Sequence, residues 1–141
     1  MSLHPYLFFD GACAEAFDFY KSVFGGEFVA RMTFADAPPD APFPEDEHHL
    51  IMHMGLPVGG GVLMGSDVSR QNGPAPVKGG NFAISFQAES LDQCEKAFAK
   101  LSNGGEIVMP MGDMFWGARF GMCTDKFGIK WMVNFDRPQQ N

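Results

Sequence analysis

Phe82-Ala83-Ile84-Ser85-Phe86, then a segment from Leu91 to Leu101, then Gly104-Gly105-Glu106-Ile107-Val108-Met109-Pro110-Met111 form the stretch whose reading decides the fold. The short apolar run reads as a strand. Leu91, Cys94, Phe98 and Leu101 recur at helical spacing, and Ser90 followed by Gln93 has the pattern of a capping box that starts a helix. The double glycine ends that helix, and the residues after it are strand-like again. The same order stands earlier in the chain: Pro5-Tyr6-Leu7-Phe8-Phe9, a helical segment from about Ala12 to Phe24, then Gly25-Gly26-Glu27-Phe28-Val29-Ala30-Arg31-Met32. In that helix Ala16, Phe19, Tyr20 and Val23 are the expected buried stripe, because an amphipathic helix must bury one face. Strand, helix, Gly-Gly-Glu, strand occurs twice, and such a repeat dictates the architecture.

Outward from the repeat, each half ends in further strand-like sequence. His49 to Met54 and Gly61 to Met64 follow the first copy, joined by a Pro-Gly turn region; Ala118 to Thr124 and Ile129 to Phe135 follow the second, joined by Asp125-Lys126-Phe127-Gly128. The order is βαβββ twice. Between Asp36 and Glu47 lie Pro38, Pro39, Pro42 and Pro44 among five acidic residues, a run that continues neither a helix nor a central strand. It is expected to be an exposed loop, either a solvated insertion or an acidic lid. Module 1 covers about residues 3–66 and module 2 about 81–136; the linker, 67–80, holds Asn72-Gly73-Pro74, Pro76 and Gly79-Gly80. Because neither sheet buries its face alone, the modules are expected to pack as one domain. The fold class is α+β, with two βαβββ modules forming curved mixed sheets around a cavity.

Composition narrows the partners. The 141 residues carry a formal net charge of −7, and the 10 Lys and Arg are scattered, so there is no electrostatic footprint for nucleic acid. Cys13, Cys94 and Cys123 are odd in number and form no Cys-x-x-Cys pair, and no basic, apolar leader precedes them, which reads as a reducing, cytoplasmic setting. Leu50 to Ser66 lacks Asp, Glu, Lys and Arg but is broken by Pro57 and Gly59-Gly60-Gly61 and contains His53, so no membrane span is expected. Ten Met and 15 Phe suit an adaptable core or an apolar ligand cavity.

The double unit resembles the vicinal oxygen chelate superfamily of glyoxalase I, extradiol dioxygenases and bleomycin-resistance proteins. The closer resemblance is to its PhnB-like branch. It is carried by Pro5-Tyr6-Leu7-Phe8-Phe9-Asp10-Gly11 with Ala16, Phe19-Tyr20 and Phe24-Gly25, by Phe115-Trp116-Gly117-Ala118-Arg119-Phe120-Gly121, and by Thr124-Asp125-Lys126-Phe127-Gly128-Ile129-Lys130-Trp131. The resemblance implies two modules around a cavity and a homodimer. It also implies four metal-ligand positions, one on the first and one on the last strand of each module, which here fall on His4, Met64, Asn81 and Met132. Only His4 suits a hard or borderline divalent ion; methionine is a soft thioether and asparagine a weak neutral oxygen. No metal cofactor is therefore expected. Some members of the branch are labelled demethylubiquinone methyltransferases, yet this sequence has no Gly-rich strand-to-helix loop with a following acidic residue for a Rossmann-type nucleotide site.

Alternation along strands assigns the faces. With Pro5, Leu7, Phe9, Phe82, Ile84 and Phe86 on the helices, the concave side receives His4, Tyr6, Phe8, Asn81, Ala83 and Ser85. It also receives Val62, Met64 and Ser66 and, from the last strand, Lys130, Met132 and Asn134. The expected ligand-binding set is His4, Tyr6, His53, Met64, Trp116, Arg119 and Met132. Trp116 and Phe115 would close over a ligand, and the Arg119 fork would meet an anionic group unless Asp113 or Asp125 engages it. Asp125 is the better candidate for capping its own turn. His49 and His53 share a strand face about 13 Å apart at about 3.3 Å per residue, too far for one ion. Cys94 belongs to a buried helix stripe, while Cys123, on a strand, is a candidate cavity-facing thiol. The leading function is small-molecule binding without the divalent metal. The alternatives are a metal-dependent enzyme of lyase, isomerase or dioxygenase type with a rearranged site drawing on His48, His49 and His53, and an interaction protein whose cavity is filled by Met and Phe.

Overall fold

In the computed structural model, which describes residues 1–40 and 42–138, the expected order is present twice. The first unit runs β1 (Tyr6–Phe9), α1 (Cys13–Phe24), β2 (Ala30–Thr33), β3 (Ile51–Val58) and β4 (Gly61–Asp67). The second runs β5 (Ile84–Gln87), α2 (Leu91–Ser102), β6 (Glu106–Asp113), β7 (Ala118–Thr124) and β8 (Lys130–Asp136). Each unit forms a four-stranded sheet, in the order β1-β4-β3-β2 and β5-β8-β7-β6. The first and last strands of each unit pair in parallel, and the other neighbours are antiparallel. This is an α+β chain of two mixed sheets. Contacts divide it into compact units Met1–Val77 and Lys78–Asn141, a boundary inside the linker read from sequence.

Both helices stop where the double glycines stand. Gly25 and Gly26 have φ of 76° and 85°, a region that costs glycine nothing. At the start of α2, Ser90 Oγ accepts from the Gln93 N–H at 3.0 Å, as the capping pattern predicts. The returning Gln93 side chain takes the Glu89 N–H rather than that of Ser90. Helix α1 lacks a side-chain cap at Ala12. Instead the buried Asp67, at the far end of β4, accepts from the Cys13 N–H through Oδ1 and from the Ile51 N–H through Oδ2.

The core of each unit lies between its helix and its sheet. In the first, Cys13, Ala16, Phe17 and Tyr20 are the buried face of α1 against Leu7, Phe9, Met54, Leu56 and Leu63. Phe17 is central here, whereas Phe19 and Val23 of the expected stripe are only half-buried. The reason is Gly65: a Cβ there would lie 2.7 Å from the Phe17 ring, so glycine leaves the space the ring fills. In the second unit Cys94, Ala97, Phe98 and Leu101 pack over the buried Gly121, Cys123, Trp131 and Val133.

Several boundaries differ from the sequence reading. Strand β3 begins at Ile51 rather than His49 and continues through Pro57 to Val58. Strand β2 reaches only as far as the Ala30–Gly55 pair, so Pro57 has a strand neighbour on one side alone, where a missing N–H is tolerated. The acidic loop holds two 3₁₀ turns, Phe34–Asp36 and Glu45–Glu47. It is tied down, with Glu47 buried and accepting from Ser69 Oγ and the Arg70 N–H, and Asp46 paired with Arg70 through two bonds of 2.8 and 2.9 Å. No helix among the described residues is long and apolar enough to cross a membrane.

Candidate functional site

The face of the first sheet turned away from α1 gathers most of the residues expected there. Tyr6 on β1 stands beside Met64 on β4, and Met64 stands beside Gly55 on β3. In that row Gly55 brings no side chain, and the Val29 and Val62 side chains lie over the space a Cβ would take, 3.3 and 3.6 Å from it. Across the row, Tyr6 Oη lies 3.0 Å from His53 Nδ1, with the two rings nearly parallel at 25° and 5.6 Å between centroids. Phe8 extends the aromatic surface, its ring 5.2 Å from that of Tyr6 and 55% exposed. Met32 faces His53 from β2. With the imidazole neutral and its proton on Nε2, the phenol donates to Nδ1 and the Nε2–H is left as a donor for another molecule.

His4 is held differently. Its Nδ1 accepts from the Val62 N–H at 3.1 Å, which completes a backbone donor of β4 and puts the imidazole proton on Nε2. His48 bonds the Phe43 carbonyl at 3.0 Å, and His49 is exposed. Among the described residues, no three side chains of His, Cys, Asp and Glu are grouped so as to hold a metal ion.

The second unit places its expected residues on separate surfaces. Met132 lies on the face away from α2, opposite Met122 of β7 and Ser85 of β5. Trp116 is in the β6–β7 turn, 58% exposed, edge-to-face with the still more exposed Phe115 at 4.9 Å. Arg119 is on the other face. It shares that face with Gly121, where a Cβ would meet Phe98 of α2, so its guanidinium runs along the helix rather than over Met132. There Nε donates to Glu95 at 2.6 Å and Nη1 approaches Asp113 at 3.5 Å; the Glu95 bond, foremost, raises its pKa. The Asp113 partner considered from sequence is thus present, and Glu95 adds a second one.

Cys123 faces α2 as well, opposite Trp131, which corrects the expectation of a cavity-facing thiol. Burial, followed by the nearby Asp125 charge, pushes its pKa up to about 11, so it carries almost no thiolate near neutrality. Burial likewise raises Cys13 and Cys94. Asp125 caps its turn as anticipated, accepting from the Phe127 and Ile129 N–H groups, and also from Trp131 Nε1 at 2.9 Å. A polar cluster escaped the sequence reading. On the face away from α2, Asn134 Nδ2 donates to Gln87 and Asp136, and Gln87 Nε2 donates to Asp136. Only Asn134 was legible there, from alternation; its partners depend on register.

A family model, the Glyoxalase/Bleomycin resistance protein/Dioxygenase superfamily, matches residues 2–133. The chain belongs to this superfamily. Among superfamily relatives, Protein YjdN of Escherichia coli K12 is 30% identical over 150 residues, covering 99% of this chain and 98% of its own length. The crystal structure of PA1353 from Pseudomonas aeruginosa is 40% identical, with a TM-score of 0.84 over 98% of this chain and 99% of that one. A Bacillus cereus PhnB protein, whose name also carries 3-demethylubiquinone-9 3-methyltransferase, shares the glyoxalase fold at 23% identity and a TM-score of 0.74, covering 96% and 99% of the two chains.

Proposed function

We propose that this glyoxalase-superfamily chain binds a small molecule on the face of its first sheet and does so without the superfamily's divalent metal. The observation that carries the reading is the Tyr6–His53 bond on an open aromatic and thioether surface. Apolar walls with a few fixed polar groups are what small-molecule sites need. Tyr6, Phe8 and Met64 supply the wall, and the imidazole of His53, held through Nδ1, presents Nε2 as an oriented polar atom. The metal half of the reading rests on donor chemistry. Met64 and Met132 are soft, Asn81 is a weak neutral donor, and His4 Nδ1 is engaged by Val62, so the four positions do not fit Zn²⁺, Ni²⁺, Mn²⁺ or Fe²⁺. A homodimer in the cytoplasm fits the resemblance and the three thiols.

Titration with 8-anilinonaphthalene-1-sulfonate tests the surface. Saturable binding is expected, weakened roughly tenfold in Tyr6→Ala and in His53→Ala, the size of a lost aromatic contact. Equal binding by both variants, with unchanged circular dichroism, would remove the site. Elemental analysis after exposure to each divalent ion and dialysis tests the metal half; near-stoichiometric retention would make the rearranged metalloenzyme the leading reading.

A further inference from the structure

One face of the second sheet carries three methionines side by side. Met132 on β8 stands opposite Met122 on β7, and Met122 stands opposite Met109 on β6. Directly opposed residues share a face with Cβ atoms about 4.5–5.5 Å apart, so the three thioethers form one row across adjacent strands. The row is turned away from α2, because Gly121, next to Met122, lies beneath Phe98. Met122 and Met132 are half-buried and Met109 is 40% exposed, so the row opens to solvent at its β6 end.

Met109 belongs to the row because β6 is bulged twice. Between Ile107 and Met109, and again between Met109 and Gly112, β6 has one residue more than β7. By plain alternation Met109 would follow Ile107, which pairs with Cys123 on the α2 face. The first extra residue turns Met109 over. The second turns the strand back, leaving Met111 Sδ 2.6 Å from where a Cβ of Gly121 would stand. Bulges sacrifice pairing to re-aim a side chain, and here the side chain re-aimed is a third thioether. Ser85 completes the row on β5, with no carboxylate or imidazole in it. Neutral sulfur donors of this kind select soft ions and disfavour Mg²⁺, Mn²⁺ and Zn²⁺.

We propose that Met109, Met122 and Met132 form a binding site for a soft monovalent metal ion of the Cu(I) and Ag(I) class. The row lies within the second unit, and the proposal does not rest on the function proposed for the Tyr6–His53 surface of the first. Ag(I), which unlike Cu(I) is not oxidised by air, is the probe. It is titrated in chloride-free buffer into the full chain carrying ¹³C-labelled methionine methyl groups. One equivalent is expected to move the resonances of Met109, Met122 and Met132 ahead of the other methionines, with Zn²⁺ moving none. Met122→Leu, close to methionine in volume and so compatible with the fold, is expected to weaken binding about tenfold or more, since losing a ligand costs no less than losing a supporting partner. Three outcomes would overturn the proposal: no resonance moves, shifts begin at methionines outside the row, or the triple Leu variant still takes up one equivalent through a thiol.

Discussion

Asp67 satisfies two backbone donors from different elements with one buried carboxylate, the first N–H of α1 and the first N–H of β3. Among the described residues, no buried side-chain nitrogen or oxygen lacks a partner, and Asp67→Ala would orphan two main-chain donors at once. A loss of about 2–4 kcal/mol is expected in urea denaturation, from two desolvated donors and a missing cap. Asp67→Asn, which keeps an oxygen for one donor, should lose less. Gly65 makes the opposite kind of demand. A Cβ at this position meets the Phe17 ring at 2.7 Å and the Leu7 carbonyl at 3.0 Å, so Gly65→Ala should cost about 1–3 kcal/mol by overpacking. Adding Phe17→Leu should return less than the full loss, because the carbonyl contact is backbone and cannot give way.

At the scale of elements, the repeat was legible because its punctuation is local. Helical spacing, Ser90 with Gln93, and the two Gly-Gly-Glu stops each act within a few residues of themselves. What was illegible depends on partners distant in sequence. The cap of α1 comes from Asp67, 54 positions along the chain from Cys13, and the centrality of Phe17 depends on a glycine in strand β4. Alternation placed Tyr6, Met64 and Met132 correctly because β1, β4 and β8 are regular. It could not foresee the turned face of Met109, since a bulge leaves no mark in hydrophobic pattern. Arg119 shows the same limit from the other side. Its chemistry suited an anion, but its parity with Gly121 and Cys123 sends it to Glu95.

The whole molecule carries its cysteines in their protonated form, and this sets a pH signature. Cys123 titrates at about 11 in the fold against 9.0 for an ordinary thiol, so between these values the unfolded chain has released a proton that the folded chain retains. Stability is therefore fully present below pH 9 and falls as pH rises toward 11, with a slope approaching about 1.4 kcal/mol per pH unit for this thiol. Chemical denaturation across that window should show the decline, shallower in Cys123→Ala after allowing for the change in overall stability. The parallel pairing of β1 with β4, and of β5 with β8, has a temporal consequence. Each unit begins with the strand that its last strand must complete, so a nascent chain cannot close its first sheet until Asp67 has been synthesised. From that point the first unit has every strand it needs, while the second is still being made. Birth order along the polypeptide thus separates the two closures, and the strand of each unit made first waits longest for its neighbour.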